Sequence, residues 1–437
     1  MKKVVTVGLG YIGLPTSALM ANFGLKVHGV DINQNVVNTI NEGKVHIIEP
    51  ELDEAVRVAV RNGNLTADTK PVKADVYLIV VPTPFQGEHE PDISYVESAT
   101  DSIIPLLKEG DLYIIESTSP VGTTEQMKCR ILDKRPELKD NISIAYCPER
   151  VLPGNIMHEL VHNDRVIGGV DKKSTENAIK FYKGFVKGEL HPTNSRTAEM
   201  CKLVENSSRD SQIAFANELS MICDSADIDV WELISLANKH PRVNILNPGS
   251  GVGGHCIAVD PYFITASFPN EAKLIATSRE VNNYKSLWCV QQIKKTITDY
   301  NLTHNKTPAV ALLGLAFKPG TDDMRDSPAL DIIPKLKEVG FKISAFDPVS
   351  MKEAKLLLND IVFSENIEDC LKDADALVIL TEWNEFRGLT ASKLKQLMHG
   401  NILIDLRNAL NPENFRESEF TLIQIGRPTK NKIIINQ

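Results

Sequence analysis

The sequence has no excess of basic residues: 48 Lys and Arg stand against 57 Asp and Glu, giving a net charge of −9. That balance argues against nucleic acid as a partner, because a nucleic-acid footprint is normally a basic domain. No apolar run approaches the roughly 18 residues needed to span a bilayer, so no membrane partner is expected. The chain enters a strand pattern at once, where a signal peptide would otherwise stand. The seven cysteines (Cys129, Cys147, Cys201, Cys223, Cys256, Cys289 and Cys370) are odd in number and scattered, with no C-x-x-C pair. Neither a zinc site nor a secreted disulfide framework follows from them, so no metal and a reducing cytoplasm are expected. Short repeats and low-complexity tracts are also missing.

What is present is an ordinary globular composition, 42% hydrophobic and 24% charged, in a chain of 437 residues. That length holds two or three domains with cores of their own. Up to about residue 190, short apolar runs alternate with helical patterns: Val4–Val7, Lys26–Asp31, Val76–Val81, Leu112–Ile115 and Ile142–Ala145. Such alternation predicts a parallel sheet covered on both faces. From Asn194 to about Tyr300 helical periodicity takes over, with one long glycine-rich interruption. The alternation resumes from Lys306 with Ala309–Leu313, Lys342–Phe346, Ala376–Leu380 and Ile402–Leu406. The expected fold is α/β: two Rossmann-like doubly wound parallel-sheet domains, 1–193 and 305–437, joined by a central helical region, 194–304.

The first strand runs into Gly8-Leu9-Gly10-Tyr11-Ile12-Gly13 and a helix to about Phe23; a second strand ends on Asp31. Placed between strand and helix, this G-x-G-x-x-G predicts a dinucleotide site. Gly8 and Gly10 allow a tight turn and close pyrophosphate approach, and Gly13 lets helix and strand pack. The phosphates would lie at the helix N-terminus, with Tyr11 and Ile12 in the same loop. Asp31 would accept from the ribose hydroxyls and repel a 2′-phosphate. No Arg follows it (Ile32-Asn33-Gln34), so the expected cofactor is NAD. Thr83 and Thr118 follow later strands on the same rim, where their hydroxyls would reach the nicotinamide half, or would serve as turns or caps.

Gly249-Ser250-Gly251-Val252-Gly253-Gly254-His255-Cys256 is a glycine-dense loop ending in a cysteine. Most free cysteines are small buried hydrophobes. Cys256 differs by its loop and by an expected helix start at Ile257, since helix N-termini depress thiol pKa and a thiolate is a nucleophile. Asp260 follows one turn later, close enough to order a water. Lys202, Asn206 and Arg209 are spaced i, i+4, i+7 and share a helix face. Such a face is usually solvated, yet a Lys/Asn/Arg set also suits an oxyanion and phosphates.

These segments together resemble the UDP-glucose/GDP-mannose 6-dehydrogenase family, from end to end and in domain order. The cofactor loop at 8–13, Lys202 to Asn206, Gly253-Gly254-His255-Cys256, and Phe317-Lys318 with Asp322-Asp323-Met324-Arg325 carry the match. Cys147-Pro148-Glu149-Arg150-Val151, Asn194 to Glu199 and His240-Pro241-Arg242-Val243-Asn244 resemble the branch acting on UDP-N-acetyl-D-mannosamine. Ala258-Val259 stands where UDP-glucose enzymes resemble Pro-Lys, which disfavours glucose.

The resemblance implies a four-electron oxidation of the sugar C6 alcohol through a thioester on Cys256, supplying precursors of a surface polysaccharide. It assigns Lys202 and Asn206 to the oxyanion, and Asp260 with Thr118 and Glu149 to the reacting water. Arg150, Val151, Lys202, Asn206, Arg209, His240, Arg242 and Gly253, with Phe317 and Lys318, would contact the sugar nucleotide. Arg325 would join the cofactor side, and a homodimer would form through the helical middle. Spacing leaves the UDP-N-acetylhexosamine epimer open. A one-step β-hydroxyacid-type dehydrogenase would need neither Cys256 nor a second α/β domain.

Overall fold

The computed structural model describes residues 2–428 apart from Glu88, Pro153, Asn305 and Lys306. The expected start of the third domain at 305 lies outside the described residues. The chain divides into two compact units, one comprising Met1–Glu205 with Tyr262–Pro269, the other Asn206–Pro261 with Asn270–Gln437.

The first unit is built on strands β1 (Lys3–Val7), β2 (Lys26–Val30), β3 (Leu65–Asp68), β4 (Val76–Ile79), β5 (Phe85–Gln86), β6 (Glu90–Pro91), β7 (Leu112–Ile115), β8 (Ser143–Tyr146), β9 (Arg165–Gly169) and β10 (Leu190–Asn194). Eight of them form one sheet in the order β10-β9-β8-β7-β4-β1-β2-β3, and β5 pairs with β6 as a hairpin. All pairings in the large sheet are parallel except β8 with β9. Order reverses between β1 and β4, and ligands bind at the carboxyl ends of strands beside such a reversal. The five predicted strands are present, Leu112–Ile115 with its predicted bounds and the other four with shifted ends. β3, β9 and β10 escaped the sequence reading, because their alternating or polar residues lack an apolar run.

The second unit carries β11 (Ala309–Leu313), β12 (Lys342–Phe346), β13 (Val362–Phe363), β14 (Ala376–Ile379), β15 (Ile402–Asp405) and β16 (Thr421–Gln424), ordered β13-β12-β11-β14-β15-β16 and parallel throughout. The middle of the chain is helical, with Ser195–Ala226 and Lys273–His304 as its long members and Val230–Ala237 and Asp260–Ser267 between them. Burial on both sheet faces explains the near-continuous apolar strands: Leu377, Val378, Ile379, Leu403 and Ile404 are almost inaccessible.

Both sheets place an aspartate after the strand beside their first strand, but its surroundings differ. Asp31 follows β2 and stays partly exposed, accepting from Leu9 N at 3.1 Å. Asp347 follows β12 and is fully buried, accepting from Leu315 N (2.7 Å), Ala316 N (3.1 Å) and Trp383 Nε1 (3.1 Å). The second acid is consumed internally and has no room for a ribose.

Candidate active site

In the first unit the cofactor loop leaves β1 at Gly8, whose φ is +96°, and a Cβ there would strike the Val80 carbonyl at the end of β4. A Cβ on Gly13 would strike the Gly8 carbonyl, while Gly10 faces open space. The Gly13–Asn22 helix has no side-chain cap and no acid in its first turn, which leaves its positive end open to an anion. Asp31 holds its position by accepting from Leu9 N and from Asn33 N (2.9 Å), and each carboxylate oxygen retains acceptor capacity for a hydroxyl. Tyr11 is exposed and Ile12 partly so. These residues fit a dinucleotide.

Thr83 is buried and Thr118 partly exposed. Neither caps a helix: the next two helices, Ser94–Ile103 and Thr123–Lys134, have Ile93 and Gly122 at their N-caps. Ser117 and Ser119 beside Thr118 are spent on structure, Ser117 Oγ accepting from Val81 N at 2.9 Å and Ser119 Oγ donating to Ser117 O.

In the same unit lies a buried cluster around Glu149 whose other members, Arg165, Glu116 and Tyr182, sequence reasoning missed. Arg165 pairs with Glu149 at 3.0 Å, both side chains under one-tenth exposed. Tyr182 Oη donates to Glu116 Oε1 at 2.5 Å, and Arg165 packs over the Tyr182 ring. Burial pushes the Glu116 carboxyl up to about 7, with Arg165 opposing and Glu149 reinforcing the shift. Burial likewise pushes the Cys147 thiol up to about 12, so that cysteine is inert. Glu149 Oε1 also accepts from Arg150 N at 2.7 Å, and Arg150 turns its guanidinium to Glu205. Val151 is partly buried.

Glu199, also missed, accepts from Gly122 N (2.6 Å), Thr124 N (2.8 Å) and Thr124 Oγ1 (2.6 Å). It thereby caps the Thr123–Lys134 helix from outside. Glu199 precedes Lys202 by one turn, so this cap also anchors the segment that presents Lys202. No local signal marks it, because Arg196, Thr197, Lys202 and Glu205 on the same helix are polar too.

In the second unit Asn206 Nδ2 donates to Asp260 Oδ2 at 2.5 Å. Cys256 is exposed, and its carbonyl accepts from Val259 N (3.2 Å) and Asp260 N (2.9 Å). The helix expected at Ile257 begins at Asp260, because residues 255–259 form turns that lead into it. Cys256 therefore sits one turn ahead of the helix. Gly254 has φ +89°, and a Cβ there would lie 3.0 Å from the Phe317 ring. A Cβ on Gly253 would strike the Phe317 side chain and the Asp326 carbonyl, and Gly254 N donates to Arg325 O at 2.9 Å. The Phe317-Lys318 segment thus abuts the cysteine loop, with Lys318 Nζ 5.5 Å from the Phe317 ring centre.

The Arg325 guanidinium is half-exposed and forked onto Asp323 at 2.9 and 2.8 Å. Arg209, His240 and Arg242 are exposed. Arg242 forms no ion pair among the described residues, and its N–H meets His240 Nδ1 at 3.3 Å. No group of three or more metal-binding side chains occurs among the described residues. No described helix is long and apolar enough to cross a membrane.

The doubly wound sheet, its uncapped glycine turn and Asp31 define an NAD-binding oxidoreductase. Residues 2–186 match the NAD binding domain of the UDP-glucose/GDP-mannose dehydrogenase family, 196–284 its central domain and 311–412 its UDP binding domain. The chain belongs to that family. It is 53% identical over 407 residues to the UDP-N-acetyl-D-mannosamine dehydrogenase of Campylobacter jejuni, covering 90% of this chain and 98% of the relative. Among solved structures, a UDP-D-ManNAc dehydrogenase from Pyrococcus horikoshii is 36% identical with a TM-score of 0.88, covering 97% of this chain and 99% of that one. The UDP-N-acetyl-mannosamine dehydrogenase of Staphylococcus aureus is 40% identical with a TM-score of 0.86, covering 98% and 100%.

Proposed function

We propose that this chain oxidises the C6 alcohol of UDP-N-acetyl-D-mannosamine to the carboxylate, supplying a precursor for a surface polysaccharide. The observation that carries the chemistry is Cys256, exposed at the end of its loop and one turn before Asp260. The sugar rests on the printed activities of relatives matched over nearly their whole length.

NAD supplies the hydride acceptor for both oxidations. Between them, the Cys256 thiolate adds to the aldehyde carbon, forming a C–S bond. Lys202 and Asn206 donate to the oxygen that gains charge, a stabilisation that preorganised donors provide without reorganisation. Loss of the second hydride leaves a thioester. Water then cleaves the C–S bond, releasing the carboxylate and returning the thiol. Asp260, Thr118 and Glu149 hold and deprotonate that water, with Glu149 fixed by Arg165. Arg150, Val151, Arg209, His240, Arg242, Gly253, Phe317 and Lys318 bind the sugar nucleotide, and Arg325 serves the cofactor. Gly8, Gly10, Tyr11, Ile12, Gly13, Asp31 and Thr83 bind NAD.

The domains run 1–193, 194–304 and 305–437. The protein acts in the cytoplasm as a homodimer through the Ser195–Ala226 helix, where Val204, Phe215 and Ile222 form an exposed apolar stripe at 42%, 52% and 54% accessibility. A panel of UDP-sugars with NAD reduction as the readout tests the reading. Two NADH per sugar, with UDP-N-acetylmannosamine oxidised best, is the expected result. Faster oxidation of UDP-glucose overturns the substrate, and one NADH per sugar overturns the thioester chemistry.

A further inference from the structure

We propose that Asn217 and Asn282 are positioning residues for Cys256, holding the entrance of its glycine-rich loop through an oriented chain of buried side-chain amides. This inference rests on Cys256 being the nucleophile. Four side chains form the chain, each at most 4% exposed: Arg279, Asp210, Asn282 and Asn217. Arg279 Nη1 donates to Asp210 Oδ1 at 2.6 Å, and Asn282 Nδ2 donates to the same oxygen at 2.7 Å and to Asp210 O at 3.0 Å. Asn217 Nδ2 donates to Asn282 Oδ1 at 2.9 Å, and Gly249 N donates to Asn217 Oδ1 at 2.8 Å.

The direction of this chain is imposed from one end. A carboxylate paired with Arg279 only accepts, so Asn282 must turn its NH2 toward Asp210 and its oxygen toward Asn217. Asn217 must then give its NH2 to Asn282, which leaves its oxygen as the acceptor for Gly249. An amide that could flip freely in isolation is thereby locked, and the first glycine of the loop is caught by a backbone bond that needs no side chain of its own.

The same helix holds the other end of the loop. Asn206, which bonds Asp260, and Asn217, which bonds Gly249, are eleven residues apart. At ~3.6 residues per turn that is about three turns, so the two asparagines lie on one face, roughly 16 Å apart along the axis. The loop between Gly249 and Asp260 also spans eleven residues and could extend to about 36 Å. Chain length therefore leaves Cys256 free over a wide range, and the anchors decide where it stands. Next to the Gly249 anchor Ser286 Oγ donates to Ser250 O (3.1 Å), and in the loop's middle Gly254 N donates to Arg325 O (2.9 Å). None of the four side chains carries any part of the chemistry proposed above.

The test compares full-length Asn217→Ala and Asn282→Ala with Ile293→Val, a buried control in the core of the same unit. Turnover is run with hydroxylamine present to trap free aldehyde. Expected is at least a tenfold loss of kcat in both asparagine variants, with KM for NAD within twofold of the parent. A rising fraction of sugar should be trapped as the oxime, since a displaced Cys256 captures the aldehyde poorly. Backbone hydrogen exchange should accelerate over residues 246–259, while Ile293→Val changes none of these readouts.

Asn217→Asp serves where the alanine variant fails to fold: it keeps an acceptor for Gly249 N but loses the donor to Asn282. It should trap aldehyde to an intermediate degree. Parent-like kcat and no oxime in folded variants overturn the proposal. Failure of the underlying reading looks different: Cys256→Ser itself would then release the sugar acid at the parent rate.

Discussion

Asn206 Nδ2 donates to Asp260 Oδ2 at 2.5 Å, tying the Ser195–Ala226 helix to the first residue of the Asp260–Ser267 helix, one turn beyond Cys256. Asn206→Ala removes that donor and is expected to lower kcat at least tenfold, equivalent to about 1.4 kcal/mol of barrier. Asn206→Asp sets carboxylate against carboxylate and should cost more. Steady-state kinetics beside thermal melts separate the two effects. A kcat equal to the parent in a folded Asn206→Ala protein would show that the bond has no part in turnover.

Asp31 and Asp347 occupy the same place in the two sheets and should answer to mutation differently. Asp31→Ala opens the ribose end, so the preference for NAD over NADP, expected at about 100-fold or more from carboxylate–phosphate repulsion, should shrink by an order of magnitude. Asp347→Ala leaves buried N–H groups of Leu315 and Ala316 and the Trp383 ring without their acceptor. It should destabilise the fold by about 2–4 kcal/mol with cofactor choice unchanged. Kinetics with both cofactors and denaturant unfolding check the pair, and equal use of NAD and NADP by the parent would remove Asp31 from its role.

Glu116 is buried with its carboxyl pushed from 4.5 up to about 7, first by burial. A folded-state pKa above the unfolded one favours the protonated native form. That stability is present in full below pH 4.5 and is lost as pH rises through 7. The span amounts to about 3 kcal/mol at most. Glu116→Gln stays neutral and retains a partner for Tyr182, so its stability should change little from pH 5 to 8 and exceed the parent's above pH 7. Urea midpoints at several pH values decide this, and parallel curves for the two proteins would contradict it.

Lys285 is fully buried, donating to Ser220 Oγ at 2.7 Å with its ammonium 3.9 Å from the Trp288 ring centre. Burial lowers its pKa to about 8. A depressed lysine charges at a cost in the native state, so the penalty holds below pH 8 and fades as pH rises toward 10.5. Lys285→Met should raise stability at pH 7 by about 1–3 kcal/mol, less whatever the Ser220 bond and ring contact contribute. The gain should be smaller at pH 10. Unfolding at both pH values tests the sign, and a loss of stability at pH 7 would refute it.

Local signals made several features legible. Gly8, Gly10, Gly13 and Asp31 were readable because strand, turn and helix follow one another within one short stretch, and the chemistry needs them in that order. Cys256 was readable because glycines crowd before it. Arg165 opens a strand that the sequence pattern does not show, and Glu199 looked like one more acid on a helix. Their partners, Glu149 and Thr124, are 16 and 75 residues away in sequence. β9 and β10 were missed for a related reason: their register comes from pairing at a sheet edge, and their own residues supply no apolar run.

By itself the sequence determined the two α/β halves, the helical middle, the dinucleotide loop and the cysteine that ends the glycine-rich segment. Each of these depends on periodicity or on neighbours within a few residues, which physical chemistry constrains locally. Only the tertiary structure decided that Asp347 is sealed where Asp31 is open, that Glu116 and Lys285 are ionisable groups without water, and that Asn217 catches Gly249. Those outcomes depend on which distant side chain completes a hydrogen bond and on how completely packing removes solvent.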